Sequence, residues 1–346
     1  MKLRVDPIDA PLRSEFLAAH GSVGTRELLL VTLETAAGEL GHGEAAPLPS
    51  YDGVTIAEVG QALEACRPAL ADADAKAHGD VLAHCAEVTL LPQALAAIDA
   101  ALWDLAGRRA GVPVWQLLGA NPPGPVPVNW TIASADRSGA AHEAAQARAA
   151  GFQTIKAKVA IGDDHGRMAA VRAVAGPQIA IRIDANGAWS PPEAEAALRV
   201  LAPVGIELCE EPVRGVTAIR DLASRTSIPL ALDESANDPD ALRDQACALI
   251  CLKVSACGGI SGLLDTAHRA RMAGYEVFLA STLDGPLGIA AALHAAAVLA
   301  PERACGLATL AIFAGRRDPL GPTRGTIPVP TGPGLGDGLL DWYWEG

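Results

Sequence analysis

The apolar positions of this chain change their period near residue 126, and the change divides it in two. Before that point, Glu27-Leu28-Leu29-Leu30-Val31-Thr32-Leu33-Glu34 predicts a strand, and the segment 38–45 predicts its antiparallel return. Helical spacing follows over about 56–70 and more strongly over 93–118, where Ile98, Leu102, Trp103 and Leu105 form one apolar stripe. The opening region therefore reads as an α+β module. From about 126 onward, short apolar runs alternate with amphipathic Ala-rich segments, the pattern of a parallel sheet assembled from strand and helix units. Strands are predicted at 127–132, 154–159, 180–184, 205–209, 229–233, 249–253 and 276–280, with a short eighth piece near 304–306. About eight such units suit a (β/α) barrel with an atypical final unit. The tail from Arg316 is rich in Pro and Gly and lacks a long helical period, which predicts a segment packed back on the opening module.

Composition narrows the class. Half of the 346 residues are hydrophobic, ample for a large core and a second module. Lys and Arg number 27 against 40 Asp and Glu, and 27 − 40 = −13 gives no electrostatic support to a nucleic-acid or anionic-membrane partner. Charges and Pro7 arrive too early for a signal peptide, and no apolar stretch reaches the roughly 20 residues of a membrane span, so a cytoplasmic protein is expected. Seven scattered cysteines without CxxC spacing read as reduced, buried thiols.

Barrel enzymes carry their chemistry where strands end. Here five consecutive predicted strands close on ionisable groups: Lys156-Ala157-Lys158, Asp184-Ala185-Asn186-Gly187, Glu210-Glu211-Pro212, Asp233-Glu234-Ser235 and Lys253. Asp184, Glu210 and Asp233 make an all-oxygen set suited to a hard divalent cation such as Mg²⁺, with Mn²⁺ as a substitute. Glu210 is preferred to Glu211 because it directly continues its strand; a strand-end acid taken singly would more often cap a helix or pair with Arg. Lys156 and Lys158 share one side of their strand, since the strand period is two, and Lys253 faces them across the barrel. A lysine beside another cation and partly desolvated has a lowered pKa and can serve as a general base. Proton abstraction α to a carboxylate gives an enediolate, whose charge a divalent cation offsets, so acids and lysines belong together.

These motifs, with Gly43-Glu44-Ala45-Ala46-Pro47 and the segment Ala97-Ile98-Asp99-Ala100-Ala101-Leu102-Trp103-Asp104-Leu105-Ala106-Gly107, resemble the muconate-lactonizing-enzyme subgroup of the enolase superfamily. The resemblance implies an α/β fold: a modified TIM (β/α) barrel at 121–310, with an α+β capping domain formed by residues 1–120 and a C-terminal segment, 311–346, packing on it. It implies Lys158 as the base on one face, Lys253 as base or cation on the other, and Lys156 as a helper at the substrate carboxylate. Asp184, Glu210 and Asp233 match the metal ligands, and cap loops at about 16–25 and 47–54 would select a small-molecule carboxylate. A homo-oligomer is implied as well. The mandelate racemase subgroup would require a His at a strand end, and none of the eight lies there.

The fate of the enediolate is a separate question. Segments 280–288 and 305–309 resemble o-succinylbenzoate synthases, so a dehydratase of that kind, with N-acylamino acid racemase side activity, is the leading expectation. The alternatives are a dipeptide or amino-acid-derivative epimerase, a muconate-type cycloisomerase, and a barrel that only binds a carboxylate. Dipeptide epimerases carry Asp-x-Asp near the eighth strand, where this chain has Ala308-Thr309-Leu310. Asp284 is a candidate to bind substrate or Lys253, with capping of a helix near Pro286 as the structural alternative. Tyr51 reads as packing on its own domain rather than as a specificity residue.

Overall fold

The computed structural model describes residues 1–18 and 21–345. The chain opens with an antiparallel sheet of β1 (Lys2–Ala18), β2 (Gly21–Glu34) and β3 (Leu40–Ala45), with β2 in the middle. β2 has two buried faces. Leu29, Val31 and Leu33 pack with Leu63, Leu70 and Ile98 in one core, whereas Leu28 and Leu30 face the core of the barrel. That double burial explains the unbroken run of apolar residues, which alternation alone would not produce. The hydrophobic pattern predicts only the hairpin of β2 and β3. β1 escapes it because Pro7 and Pro11 interrupt the strand, which they can do at a sheet edge, where a missing N–H need not break a ladder bond.

A long helix, Pro92–Ala110, lies on β3. It ends short of the predicted 118 because Gly111 takes a left-handed φ of 68° and Pro113 follows. Gly43 permits the contact, since a Cβ there would strike the Ala97 carbonyl and the Ala101 nitrogen.

The second sheet is parallel and curled, in the order of the chain: β5 (Trp130–Ile132), β6 (Thr154–Lys158), β7 (Ala180–Asp184), β8 (Ile206–Glu210), β9 (Leu230–Leu232), β10 (Leu249–Leu252) and β11 (Glu276–Leu279). Helices such as Arg137–Ala149, Asp164–Ala175 and Ile260–Met272 return the chain between strands. The predicted eighth strand is two isolated bridges instead, Val128 to Cys305 and Ala280 to Gly306, which join the two edges of the sheet. The predicted 127–132 strand is divided, because β4 (Val126–Pro127) pairs antiparallel with β12 (Thr326–Ile327).

The tail touches the opening module at several points. Ala314 N donates to Pro11 O at 2.8 Å, Arg316 donates to Asp9 O at 2.9 Å, and Gly334 N donates to Val112 O at 3.0 Å. Among the described residues, no helix is long and apolar enough to cross a membrane.

Candidate active site

Strand register builds the floor of the site. Lys158 is level with Asp184, and Asp184 with Glu210, so three charged side chains stand in one row across β6, β7 and β8. Asp233 follows the end of β9 and Lys253 the end of β10. β6 and β10 occupy the second and sixth of eight positions around the barrel, so Lys158 and Lys253 rise from opposite walls. Two non-glycine residues beside the acids hold left-handed backbone, Asn186 at φ 45° and Glu211 at φ 37°, a conformation kept only where surroundings impose it. The Asn186 N–H donates to Asp184 Oδ1 at 2.9 Å. Glu211 accepts from Asp233 N at 2.8 Å and from the Ser235 hydroxyl.

Glu210 and Glu211 thus point to different tasks. Glu210 is ion-paired with Lys156, whose Nζ also lies 2.9 Å from Asp184. Glu211 turns behind the strand ends and orients the Asp233 backbone. Lys158 Nζ donates to Asp184 Oδ2 at 2.7 Å and to Asn186 Oδ1 at 2.6 Å, while Lys253 pairs with Asp233.

Over this floor sits a cavity of about 290 Å³, lined at its base by Lys156, Lys158, Asp184, Asn186, Asp233, Glu234 and Lys253. Its upper wall is mostly apolar, with Val23, Leu48, Trp130, Phe152, Leu283 and Ile312, and carries the neutral polar groups of Asn129, Thr131, Ser281 and Thr309. No charged side chain among the described residues lines that upper part. Segment 16–25 contributes Val23; its Ala19 and His20 lie outside the described residues. Segment 47–54 contributes Leu48, Ser50 and Tyr51.

Tyr51 does not pack merely on its own module. Its hydroxyl donates to Asp233 Oδ1 at 3.1 Å and its ring lies 3.7 Å from Lys253 Nζ. Asp284 is 2% exposed, accepts from Thr282 N at 3.2 Å and from the Thr282 hydroxyl, and is not among the cavity-lining residues. It caps no helix with its side chain either; the helix Pro286–Leu299 follows Gly285, whose N–H donates to Glu44. His294 lies in that helix with Nδ1 accepting from Trp115 N, a packing role with burial driving its pKa down to about 4.

Charge is tightly balanced here. Burial alone would lower the Lys156 ammonium, but Asp184, Glu210 and Asp233 outweigh it and hold it above the ordinary lysine range. Lys253 is raised in the same way, burial being outweighed by Asp233 and Tyr51. The lowered lysine pKa expected from neighbouring cations is therefore not found for these two, because each ammonium has carboxylates closer than any other cation. Burial raises Glu210, and Lys156 offsets part of that. Burial, then Asp233 and Asp184, push Glu234 up to about 7, and its Oε2 is buried without a hydrogen-bond partner.

The donor chemistry fits a hard cation. Glu210, Asp233 and Cys251 place ligand atoms within 4.8 Å of one another, and Asp184, outside that group, is joined to Glu210 through the Lys156 ammonium that both carboxylates share. Cys251 is the poor member of that group, since burial and Asp233 push its thiol far up and a thiol is a soft donor. The oxygens of Asp184, Glu210 and Asp233 remain as the set that could hold Mg²⁺.

Residues 139–340 match the family model described as enolase C-terminal domain-like, and residues 3–119 the one described as mandelate racemase / muconate lactonizing enzyme, N-terminal domain. The chain is 31% identical to the N-succinyl-L-Arg/Lys racemase of Bacillus cereus, over 84% of this chain and 81% of the relative. It is 37% identical to the o-succinylbenzoate synthase of Thermobifida fusca, over 59% of this chain and 66% of the relative. A solved dipeptide epimerase of Cytophaga hutchinsonii, complexed with Mg and the dipeptide D-Ala-L-Val, superposes with a TM-score of 0.88 at 28% identity, covering 98% of this chain and 97% of that one.

Proposed function

We propose, from the premise that this chain belongs to the muconate lactonizing enzyme subgroup of the enolase superfamily, that it removes the proton α to a substrate carboxylate from one face of the carbon and returns a different proton to the other. The observation that carries this reading is the placement of Lys158 and Lys253 on opposite walls of one cavity, on either side of three acidic strand ends. In one direction the Lys158 amine takes the α-proton and the Lys253 ammonium delivers one to the opposite face; the reverse direction exchanges the roles. Asp184, Glu210 and Asp233 would hold Mg²⁺, which would supply positive charge for the negative charge developing on the substrate carboxylate. Lys156, between Asp184 and Glu210, orients the substrate carboxylate. Residues 1–120 and 311–346 cover a barrel of 121–310 in this reading.

The upper cavity supports one substrate class. Among the described residues it offers amide and hydroxyl partners in an apolar wall but no carboxylate for a free ammonium group and no cation for a second carboxylate. An N-acylated α-amino acid with an apolar side chain and a neutral acyl group matches it. This reading puts racemisation ahead of the elimination that the motifs at 280–288 and 305–309 suggest. Elimination in the manner of an o-succinylbenzoate synthase remains the second reading, favoured by the 37% identity to that synthase, and one lysine would suffice for it.

The deciding experiment is Mg²⁺-dependent α-proton exchange in deuterium oxide, followed by NMR. The panel holds both enantiomers of N-acetyl amino acids, N-succinyl amino acids, dipeptides, muconates and the o-succinylbenzoate precursor. Racemisation with deuterium incorporation of an N-acetyl substrate supports the first reading. Elimination alone supports the second, and no exchange across the panel would remove both.

A further inference from the structure

Arg26 stands outside the cavity, and none of the proposed chemistry uses it. It lies on β2 on the same side as Leu28 and Leu30, facing the barrel, and is 2% exposed. Its guanidinium donates to three backbone carbonyls: Pro47 at 2.8 Å, Ala46 at 3.1 Å and Leu283 at 3.3 Å. The first two begin the cap segment that carries Leu48, Ser50 and Tyr51 into the cavity; the third belongs to the loop after β11 that contributes Ser281, Thr282 and Leu283.

The same seam is closed by a second set of bonds. The Thr282 hydroxyl, whose one hydrogen Asp284 shares, lies 3.2 Å from Ala46 O, and Gly285 N donates to Glu44 Oε1 at 2.8 Å. The carboxyl groups of Glu44 and Asp284 flank the guanidinium from the cap side and the barrel side, and both oppose the lowering that burial imposes on it. Leu283 holds a left-handed φ of 60°, a conformation a leucine avoids unless its surroundings impose it, and the bond from Arg26 to its carbonyl is one such constraint.

We infer that Arg26 is a positioning residue: it locks the cap segment 46–51 to the barrel loop 281–285, and so sets the distance between the two walls that grip the distal part of the substrate. This rests on the proposed reading of the cavity as a proton-transfer site, but it concerns the width of the mouth and not the chemistry at the floor. The planar fork of donors is what the geometry uses. Lysine keeps the charge between Glu44 and Asp284 but cannot reach three carbonyls in a plane.

Arg26→Lys is therefore the informative variant, since it preserves the buried charge that the fold needs. Its KM for the exchanging substrate should rise about tenfold, with kcat changed less than twofold, because the lysines and acids are untouched. Amide hydrogen exchange of the substrate-free variant, read by mass spectrometry, should accelerate in peptides covering 46–53 and 281–285 and stay unchanged in β6 to β8. Unchanged KM with unchanged exchange in those two segments would overturn the inference. Uniformly faster exchange throughout the chain would do the same, reducing Arg26 to a general stabiliser. If the wild type exchanges no substrate proton while the local amide effect appears, the proposed activity fails and the lock stands.

Discussion

The hydroxyl of Tyr51 donates to Asp233 Oδ1 at 3.1 Å, so a side chain of the cap holds a carboxylate of the barrel. The same ring lies 3.7 Å from Lys253 Nζ. One residue therefore touches both a proposed metal ligand and a proposed acid–base group. Tyr51→Phe keeps the ring beneath the ammonium and loses only the hydrogen bond, and a bond to a charged group is worth about 1.5–3 kcal/mol. The expected result is a fall in kcat/KM of about tenfold or somewhat more. Tyr51→Ala should lose more, because it also removes the ring. Equal losses in the two variants would show that the hydroxyl alone matters; no loss in either would remove Tyr51 from the site.

The lysines give a sharper prediction, because their placement on opposite walls makes their losses distinguishable. In Lys158→Ala, deuterium entry should vanish for one enantiomer of the substrate, and in Lys253→Ala for the other, each by about 10²-fold to 10⁴-fold. Proton NMR of each enantiomer in deuterium oxide reads this directly. Loss of both enantiomers' exchange in only one variant would point to a single base and favour elimination over racemisation.

Much of this site is visible in the sequence because a strand's period is simple. Lys156 and Lys158 had to share a face, and apolar runs ending in charge marked the strand ends. Glu210 over Glu211 also follows from continuing the strand. What was not legible depends on partners far along the chain. Tyr51 meets Asp233 across 182 residues, and Glu44 takes the Gly285 N–H from 241 residues away while Asp284 accepts from Thr282. Asn129 and Thr131, two apart on a predicted strand, could have been placed on the cavity wall by the same period that placed the lysines. β1 was hidden by prolines that only an edge position tolerates, and edge position is a property of the folded sheet.

Removing a carboxylate should weaken metal binding and fold stability by different amounts. Asp184 pairs with both Lys156 and Lys158 and is fully buried, so Asp184→Asn breaks two ion pairs, while Lys156 keeps Glu210 and Lys158 keeps the Asn186 amide oxygen. A broken buried pair costs about 3–5 kcal/mol, and thermal unfolding without Mg²⁺ should show a clear loss. Titration calorimetry should find Mg²⁺ affinity sharply reduced in Asp184→Asn, Glu210→Gln and Asp233→Asn alike, and chelation of the wild type should abolish proton exchange. Full Mg²⁺ affinity in any of the three would take that residue out of the proposed ligand set.

Glu44 supplies a pH dependence away from the acids and lysines of the floor. Burial, and then Asp284 beside it, push its carboxyl from 4.5 up to about 8, against the opposing effects of Tyr343, the Gly285 N–H and Arg26. A folded-state pKa above the unfolded one means that the folded chain holds the proton more tightly. The resulting stabilisation is complete below about pH 4.5, the unfolded value, and drains away as pH rises through about 8. Wild-type Tm should therefore decline between about pH 4.5 and pH 8 through this group and level off above that, on top of any slope from other carboxyls such as Glu211. Glu44→Gln cannot ionise and keeps an acceptor for the Gly285 N–H, so its Tm should decline less steeply. Calorimetric scans of both proteins at several pH values isolate the difference, and parallel slopes would mean that Glu44 stays ionised in the fold, held by Tyr343, the Gly285 N–H and Arg26.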